Sequence, residues 1–382
     1  MERRLGKDLR AAALLVCGMA IGAAACAAPA QPADELLIGQ SAAYSGPLGE
    51  LGLEARRGAE LCLAQVNAQG GVHGRKLRLV AIDDAYDPAR TEANVRQLID
   101  EQQVFALMGV MGTPNNEKVL PLIAGKKVPV VAPLTGATSI RKAEFDNVFH
   151  VRASYGDEAR KIAQHLATIG TTRIAVIRQN NGFGRDVLTA LEAELATRQI
   201  KPVAVATVEN DASDAAAAVA KVLGSDANAV VLATAGKPTV ESIKGINQGR
   251  KGLPMYALSV MGTRGALKAL GADGVGVVVA QVMPYPWNAA MPLVRDYQQA
   301  MGTQAAGEYS YMSLEGCLNA RVLAEGLRRA GPNPTREKLI AALAGMRQFD
   351  IGKLQLGFAK SPYVASSYVE LSIIAPGERF RR

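Results

Sequence analysis

Three loops of this chain combine glycine with serine or threonine where a strand-like segment ends and a helical pattern begins. They span residues 44–49, 111–116 and 132–139. Hydroxyl groups and free backbone N–H groups at helix starts suit a carboxylate or a similar anion. The same residue types also cap helices without binding any ligand. Three such loops in one half of the chain therefore favour an anion-binding site, with helix capping as the alternative.

Sequence signatures of catalysis are missing. Residues 236–237 lack the first glycine and the final Ser or Thr of a phosphate-binding Walker loop, and residues 182–184 lack the third glycine of a dinucleotide fingerprint. The nucleophile elbow G-x-S-x-G does not occur. The three histidines have no metal-ligand spacing: His73, His150 and His165. We therefore expect a protein that is not an enzyme and that needs no cofactor or metal.

Strand-like and helical segments alternate after residue 35. Uninterrupted apolar runs such as Ala229–Ala233 are typical of parallel strands covered on both faces. The series continues to about residue 152 and restarts at Gly156. We therefore predict an α/β fold with two Rossmann-like lobes, each a mainly parallel sheet flanked by helices. Two late strand-like runs, at residues 353–358 and 368–374, could return to either lobe.

The composition and charge exclude several protein classes. Of 382 residues, 49% are hydrophobic and 20% charged, which is far from the composition of a disordered chain. Lys and Arg total 43 against 35 Asp and Glu, a net charge of +8. Residues 1–30 hold four of the basic and two of the acidic groups, so +6 remains without them. The basic residues are scattered and aromatics make up 5%, so we expect no nucleic-acid partner.

Residues 1–30 have the pattern of a secretory signal peptide. Residues 1–10 are charged, residues 11–25 form an apolar run too short to span a bilayer comfortably, and residues 28–30 offer a small-residue cleavage site. Cys26 follows three alanines, so a lipid anchor at this cysteine is the alternative to soluble export. No later segment approaches 18 uncharged apolar residues, so we expect no membrane span in the mature chain.

Export leaves two cysteines, Cys62 and Cys317. In an oxidising compartment they could form a disulfide. Both lie in apolar helical patterns, however, so two buried free thiols are an equal alternative.

Short motifs follow one another over nearly the whole mature chain. The first are Ser45-Gly46-Pro47, a segment 67–77 with three glycines, and Asp83-Asp84 with Asp87-Pro88. Later motifs occupy residues 133–137, 149–152, 180–184 and 309–311. In this order they resemble the branched-chain amino-acid-binding (Leu/Ile/Val-binding) proteins, the type I periplasmic substrate-binding components of ABC transporters.

The resemblance implies two lobes joined by three crossings, with a ligand between the lobes and closure by hinge motion. The crossings are expected near residues 151–154, 281–284 and 349–354. The lobes would comprise residues 31–152 with about 283–350, and residues 153–282 with about 354–382. It also implies a monomer in the periplasm that delivers its ligand to permease subunits in the inner membrane, and through them to ATPase subunits.

The resemblance further implies a ligand site. The family's carboxylate-binding hydroxyl corresponds to Thr113, and its backbone-contributing loop to Leu134, Thr135 and Gly136. The aromatic residue of the second lobe corresponds to Phe183. The other predicted site residues are Ser45, Leu51, Met111, Gly112, Tyr309 and Tyr311.

Both residues that pair with the ligand's ammonium in this family are missing. The acidic residue falls at Ser259 and the tyrosine at Ala235 or Gly236. A buried ammonium without a partner is costly. We therefore expect the ligand to be a carboxylate. A related aliphatic or aromatic organic acid without an α-amino group is favoured over an amino acid.

The family's small disulfide is also missing, since Ala85 and Gly112 occupy the expected positions. Two other functions remain as alternatives to transport. One is a periplasmic sensor that presents its ligand to a chemoreceptor or another signalling partner. The other is an exported α/β enzyme, which the lack of a nucleophile–base pair disfavours.

Overall fold

The computed structural model describes residues 35–302 and 308–382. Within these two ranges, none of the helices has the length and hydrophobicity needed to cross a bilayer. The predicted signal peptide and the lipid-anchor alternative at Cys26 lie outside the described residues.

Several helices begin where the sequence provides a side-chain cap. Asp87 precedes α2 (Pro88–Arg96) and accepts hydrogen bonds from the Ala89 and Arg90 backbone N–H groups, and Ser154 and Asp157 form a capping box at the start of α4 (Tyr155–Thr168). The helices are α1 (Gly49–Ala68), α2 (Pro88–Arg96), α3 (Thr113–Ala124), α4 (Tyr155–Thr168), α5 (Gly182–Ala196), α6 (Ala215–Leu223), α7 (Lys237–Gly249), α8 (Arg264–Leu270), α9 (Pro292–Met301), α10 (Tyr311–Ala330) and α11 (Arg336–Ala344). A π-helical turn, Gln97–Glu101, extends α2.

The strands form two large sheets and one hairpin. Their bounds are β1 (Glu35–Ala42), β2 (Lys76–Asp83), β3 (Ala106–Met108), β4 (Val130–Val131), β5 (Val148–His150), β6 (Ile174–Gln179), β7 (Ala204–Val208), β8 (Ala229–Ala233), β9 (Met255–Ala257), β10 (Val278–Gln281), β11 (Phe349–Asp350), β12 (Gln355–Leu356), β13 (Tyr363–Val364), β14 (Glu370–Ala375) and β15 (Arg379–Arg381). The predicted α/β fold with two mainly parallel sheets is confirmed.

The first sheet has the order β13-β5-β4-β3-β1-β2, and all its neighbouring strands are parallel. The second has the order β15-β14-β10-β9-β8-β6-β7, with β14 and β15 antiparallel at one edge. In each sheet the first strand is flanked by the second and third in chain order. Ligands bind open α/β sheets at such switch points, beside the carboxyl ends of the strands.

The chain crosses between the sheets three times, and the third crossing differs from the expectation. The first two follow β5 and β10, as predicted. The hairpin β11–β12 occupies the segment predicted for the third crossing, and Tyr363–Val364 returns to the first sheet as β13 beside β5. The crossing therefore lies between β13 and β14. We call the β1–β5 sheet with its helices and α9–α11 lobe one, and the β6–β10 sheet with its helices lobe two.

Helix α10 packs against α1 in lobe one, far from it in sequence. Gly58 of α1 and Gly316 of α10 permit this approach, because a Cβ on either glycine would overlap a carbonyl oxygen of the other helix. The approach brings Cys62 and Cys317 together in a disulfide, with Cα atoms 5.2 Å apart. The sequence left open a disulfide or two buried free thiols, and the structure contains the disulfide.

Candidate ligand-binding site

The carboxyl ends of the two sheets border a narrow central void of about 20 Å³ between the lobes. Lobe one contributes residues that follow β1 to β4, together with one side chain from α10: Leu48, Leu51, Tyr86, Met111, Gly112, Leu134 and Met312. Lobe two contributes Tyr155, Phe183, Ala235 and Val260. A void of this size holds about one water molecule. The lobes are therefore closed on each other.

Five of the predicted site residues line the central void. They are Leu51, Met111, Gly112, Leu134 and Phe183. Thr113, Thr135 and Gly136 lie next to this wall, in the same two loops. The structure thus brings eight of the predicted residues to one place.

The polar end of the void consists of four buried hydroxyl groups, which we call the hydroxyl cluster: Thr113, Thr135, Tyr86 and Tyr155. The Oγ1 atoms of Thr113 and Thr135 are 2.8 Å apart. The Tyr155 hydroxyl lies close to the Thr135 side chain and the Gly136 backbone, and the Tyr86 hydroxyl lies close to the Thr113 backbone. Burial raises the pKa of both tyrosines, so both phenols stay protonated at neutral pH.

Among the lining residues that sequence reasoning missed, Tyr86 and Tyr155 are the two that carry a hydroxyl group. Tyr86 has a left-handed backbone, φ 66°, in a turn where the Asp84 carboxylate accepts from its N–H at 2.9 Å. Each tyrosine ring packs on a glycine of a predicted loop. A Cβ on Gly112 would lie 2.6 Å from Tyr86 Cε2, and one on Gly136 would lie 2.9 Å from Tyr155 Cδ1. These glycines therefore leave space for the rings.

Apart from Tyr155, the lobe-two wall of the void is apolar. Phe183 packs edge-on against Tyr155 with ring centroids 5.0 Å apart, beside Ala235 and Val260. Ser259, where the family's acid was expected, points away from the void: its Oγ donates to Glu158 Oε1 at 2.9 Å. No acidic side chain is among the residues that line the void in the described chain.

A family model described as periplasmic binding protein matches residues 35–361. The chain belongs to the periplasmic binding protein family. The resemblance found in the sequence is thereby confirmed.

Individual relatives of this periplasmic binding protein agree with the family. The Leu/Ile/Val-binding protein homolog 3 of Brucella melitensis is 26% identical over 197 residues, 51% of this chain and 53% of that protein. The match therefore spans about half the length of that relative. A substrate-binding periplasmic protein from Ralstonia solanacearum has a TM-score of 0.84 and 31% identity, covering 89% of this chain and 98% of that chain.

A more distant solved structure shares the fold. It is the solute-binding protein of an ABC transporter from R. palustris, in complex with benzoate. Its TM-score is 0.81 at 19% identity, covering 91% of this chain and 95% of that chain.

Three predicted site residues of this binding protein lie away from the void. Ser45 is exposed and its Oγ donates to Asp83 Oδ2 at 2.6 Å. Tyr309 packs edge-on against Tyr297 within lobe one. Tyr311 packs against Phe380, with ring centroids 5.3 Å apart, and its hydroxyl bonds to Ser372. Their side chains stabilise a turn or pack against other aromatic residues, and they do not line the void.

A buried ion triad lies at the first crossing, which we call the hinge triad: Arg152, Glu158 and Glu315. Arg152 is in the crossing itself, Glu158 is on α4 of lobe two, and Glu315 is on α10 of lobe one. Nitrogen–oxygen distances are 3.3 Å from Arg152 to Glu158 and 3.5 Å to Glu315. Burial raises the pKa of Glu158 to about 6, against the opposing effect of Arg152. The triad therefore joins the lobes through charges removed from water.

Two carboxylates join the facing edges of the lobes by hydrogen bonds. Asp186 of α5 accepts hydrogen bonds from the backbone N–H groups of Thr138 and Ser139, at 3.0 and 2.9 Å. On the other side, Glu54 of α1 accepts from the Arg264 N–H at 2.7 Å. The closed arrangement is thus fixed by polar contacts on both sides of the void.

Proposed function

We propose that this protein is the solute-binding component of an ABC-type uptake system and binds a small carboxylate without an α-amino group between its lobes. The observation that carries the proposal is the division of the central void. One end has the hydroxyl cluster, whereas Phe183, Ala235 and Val260 of lobe two give the void an apolar wall. A carboxylate finds donors at the first end, while an α-ammonium would meet an apolar wall.

The carboxylate would take the place of the phenol oxygens as acceptor. In the closed form Tyr86 and Tyr155 lie close to the Thr113 and Gly136 backbone groups, and the two threonine hydroxyls bond to each other. Charged acceptors form stronger hydrogen bonds than phenols do. Because the closed void holds about one water molecule, the ligand would enter an open form, turn the tyrosines aside and be enclosed by hinge closure.

The family and its neighbours support this function. Solute-binding proteins of this fold include one from R. palustris solved with benzoate, a carboxylate that has no amino group. The partners would be permease subunits in the inner membrane, with the ATPase subunits reached through them. Deletion of the gene should then reduce uptake of the bound carboxylate by cells, and unchanged uptake would count against transport.

Isothermal titration calorimetry tests the ligand class. The mature protein, residues 31–382, is titrated with leucine, isoleucine and valine, with their 2-oxo acids, with aromatic and aliphatic acids, and with the matching amides. We expect acids to bind and amides and amino acids to bind weakly or not at all. Sub-micromolar binding of leucine, isoleucine or valine would overturn the proposal.

Two threonine variants test the position of the carboxylate. Thr113→Ala should weaken acid binding by about tenfold or more, since a hydrogen bond to a charged group contributes about 1.5–3 kcal/mol. Thr239→Ala is the matched control, because Thr239 forms a similar buried pair with Thr234, at 2.8 Å, inside lobe two. Equal affinity of Thr113→Ala and the wild type would remove Thr113 from the site.

A further inference from the structure

A second cavity between the lobes adjoins the central void. It has a volume of about 310 Å³ and shares Leu48, Leu51 and Val260 with the void. We call it the outer chamber; residues 47–51 of lobe one form one wall, and α7 and α8 of lobe two form the other. Its volume reaches the lower end of the range of small-molecule sites, about 300 Å³. The void and the chamber are thus separated by three apolar side chains.

The inner surface of the outer chamber is apolar and its rim is electrically balanced. Val240 and Ala266 of lobe two continue the apolar surface of the three shared residues. The charged lining residues are two lysines and two glutamates: Lys237, Lys244, Glu50 and Glu241. Equal numbers of each sign give no net attraction for a second charge on the ligand. The chamber therefore suits an uncharged hydrocarbon group.

The space exists because this chain has small residues where lobe two faces lobe one. Gly236 is one of the two positions where the family's tyrosine was expected, and it faces Pro47 across the gap. Gly265 and Ala266 at the start of α8 are also small. A Cβ on Gly265 would already lie 2.6 Å from Glu50 Cγ. A bulky residue at position 236 would hold the lobes apart, and one at position 266 would fill the chamber.

We propose that the outer chamber receives the apolar tail of the ligand, so that the substrates are monocarboxylates with an extended alkyl or arylalkyl chain. The proposal rests on the proposed function, which places the carboxylate at the hydroxyl cluster. The tail passes Leu48, Leu51 and Val260 and ends in the chamber, where its apolar surface packs against Val240 and Ala266. Short acids occupy only the void, so contacts in the chamber do not add to their affinity.

A chain-length series measures the contribution of the chamber. The mature protein is titrated calorimetrically with straight-chain acids from propionate to decanoate and with phenylalkanoates. Each methylene that enters the chamber should tighten binding by about fourfold, the equivalent of about 0.8 kcal/mol of buried CH₂. Affinity should level off once the chamber is full.

Two variants in which an alanine is replaced by methionine test where the tail of the ligand lies. Ala266→Met fills the chamber from α8, and it should abolish the gain for octanoate while leaving propionate affinity unchanged. Ala217→Met on the exposed face of α6 is the control, and it should match the wild type for every acid. An equal loss for propionate and octanoate in Ala266→Met would contradict a tail in the chamber.

The remaining outcomes separate the two proposals. If short and long acids bind with equal affinity, the chamber proposal fails and the carboxylate site stands. If no carboxylate binds at any chain length, both the proposed function and the chamber proposal fail.

Discussion

Gly236 of lobe two packs directly against the backbone of Pro47 in lobe one, so closely that a Cβ on Gly236 would overlap the Pro47 carbonyl oxygen. A similar contact joins Gly182 of α5 to lobe one, where a Cβ would lie 2.6 Å from Glu117 Oε2. At these two places the residues of lobe two that contact lobe one are glycines, Gly236 and Gly182. A side chain at position 236 would therefore oppose closure of the lobes.

Gly236→Ala should weaken ligand binding by about tenfold to a hundredfold, because the overlap with Pro47 destabilises the closed form. The measurement is calorimetric affinity, together with the change in radius of gyration on ligand addition by small-angle scattering. Gly252→Ala is the matched control, since Gly252 also has positive φ, at 82°, but has no atom within 4 Å of its Cβ position. Equal affinities of the two variants would show that backbone strain, not the interlobe contact, causes the effect.

Glu54 should make stability depend on pH. Burial raises its pKa to about 7, and Glu50 adds to this rise while the bonds from Ser310 and Arg264 oppose it. An unfolded glutamate titrates near 4.3. The folded state therefore binds more protons between these values, and the free energy of unfolding should fall as the pH rises from about 4.5 to 7. Above that range, the contribution of Glu54 to stability is lost.

Urea unfolding at pH 5 and pH 8 checks this contribution. Glu54→Gln keeps an acceptor for the Arg264 N–H and does not titrate, so it should reduce the pH dependence by on the order of 2 kcal/mol. Glu60→Gln serves as the control, because Glu60 is exposed and pairs with Arg56 within α1. The same pH dependence in Glu54→Gln and the wild type would contradict the assignment.

The sequence predicted the regular parts of the fold well, because each has a local signal. Asp87 before Pro88 predicts the start of α2, and the apolar run at Ala229–Ala233 is β8. The placement of the late chain was wrong, because β13 has two residues and cannot show the alternation that marks a strand. Its position depends on pairing with β5, which the sequence does not reveal.

The candidate site was predicted in its loops but not in its tyrosines. Tyr86 reaches the void through a left-handed turn, which a tyrosine rarely adopts and no local pattern indicates. Tyr155 is the first residue of α4, one position before the predicted helix start, so its direction was not considered. Tyr311 was predicted as a site residue and belongs to the motif at residues 309–311. It opens α10 and contacts Phe380 instead of the void.

Arg152→Ala should destabilise the protein by roughly 3–5 kcal/mol, because it leaves Glu158 and Glu315 buried without their cation. Urea unfolding measures the loss. Arg56→Ala is the control, since its exposed pair with Glu60 contributes about 1 kcal/mol or less.

A second variant of the hinge triad separates charge from packing. The triple variant Arg152→Met, Glu158→Gln, Glu315→Gln has none of the three charges. It should regain part of the stability that Arg152→Ala loses. If the triple variant is less stable than Arg152→Ala, shape and not charge balance determines the contribution of the triad.

Replacing Cys62 and Cys317 together by alanine should lower the free energy of unfolding by about 2–5 kcal/mol. Ligand affinity should stay within about threefold, because the bridge joins α1 to α10 inside lobe one and does not line the void. Calorimetric melting and titration of the double variant test both statements. A loss of affinity as large as that of Gly236→Ala would show that the α1–α10 contact controls closure.

The return of β13 to the first sheet has a consequence for biosynthesis. Lobe one takes its edge strand from Tyr363–Val364, and lobe two takes its antiparallel edge from β14 and β15, which ends at Arg381. Neither lobe is a continuous piece of chain, so an emerging polypeptide has two unfinished sheets until its last residues are available. Neither sheet can therefore be completed before residues 363–381 have been synthesised.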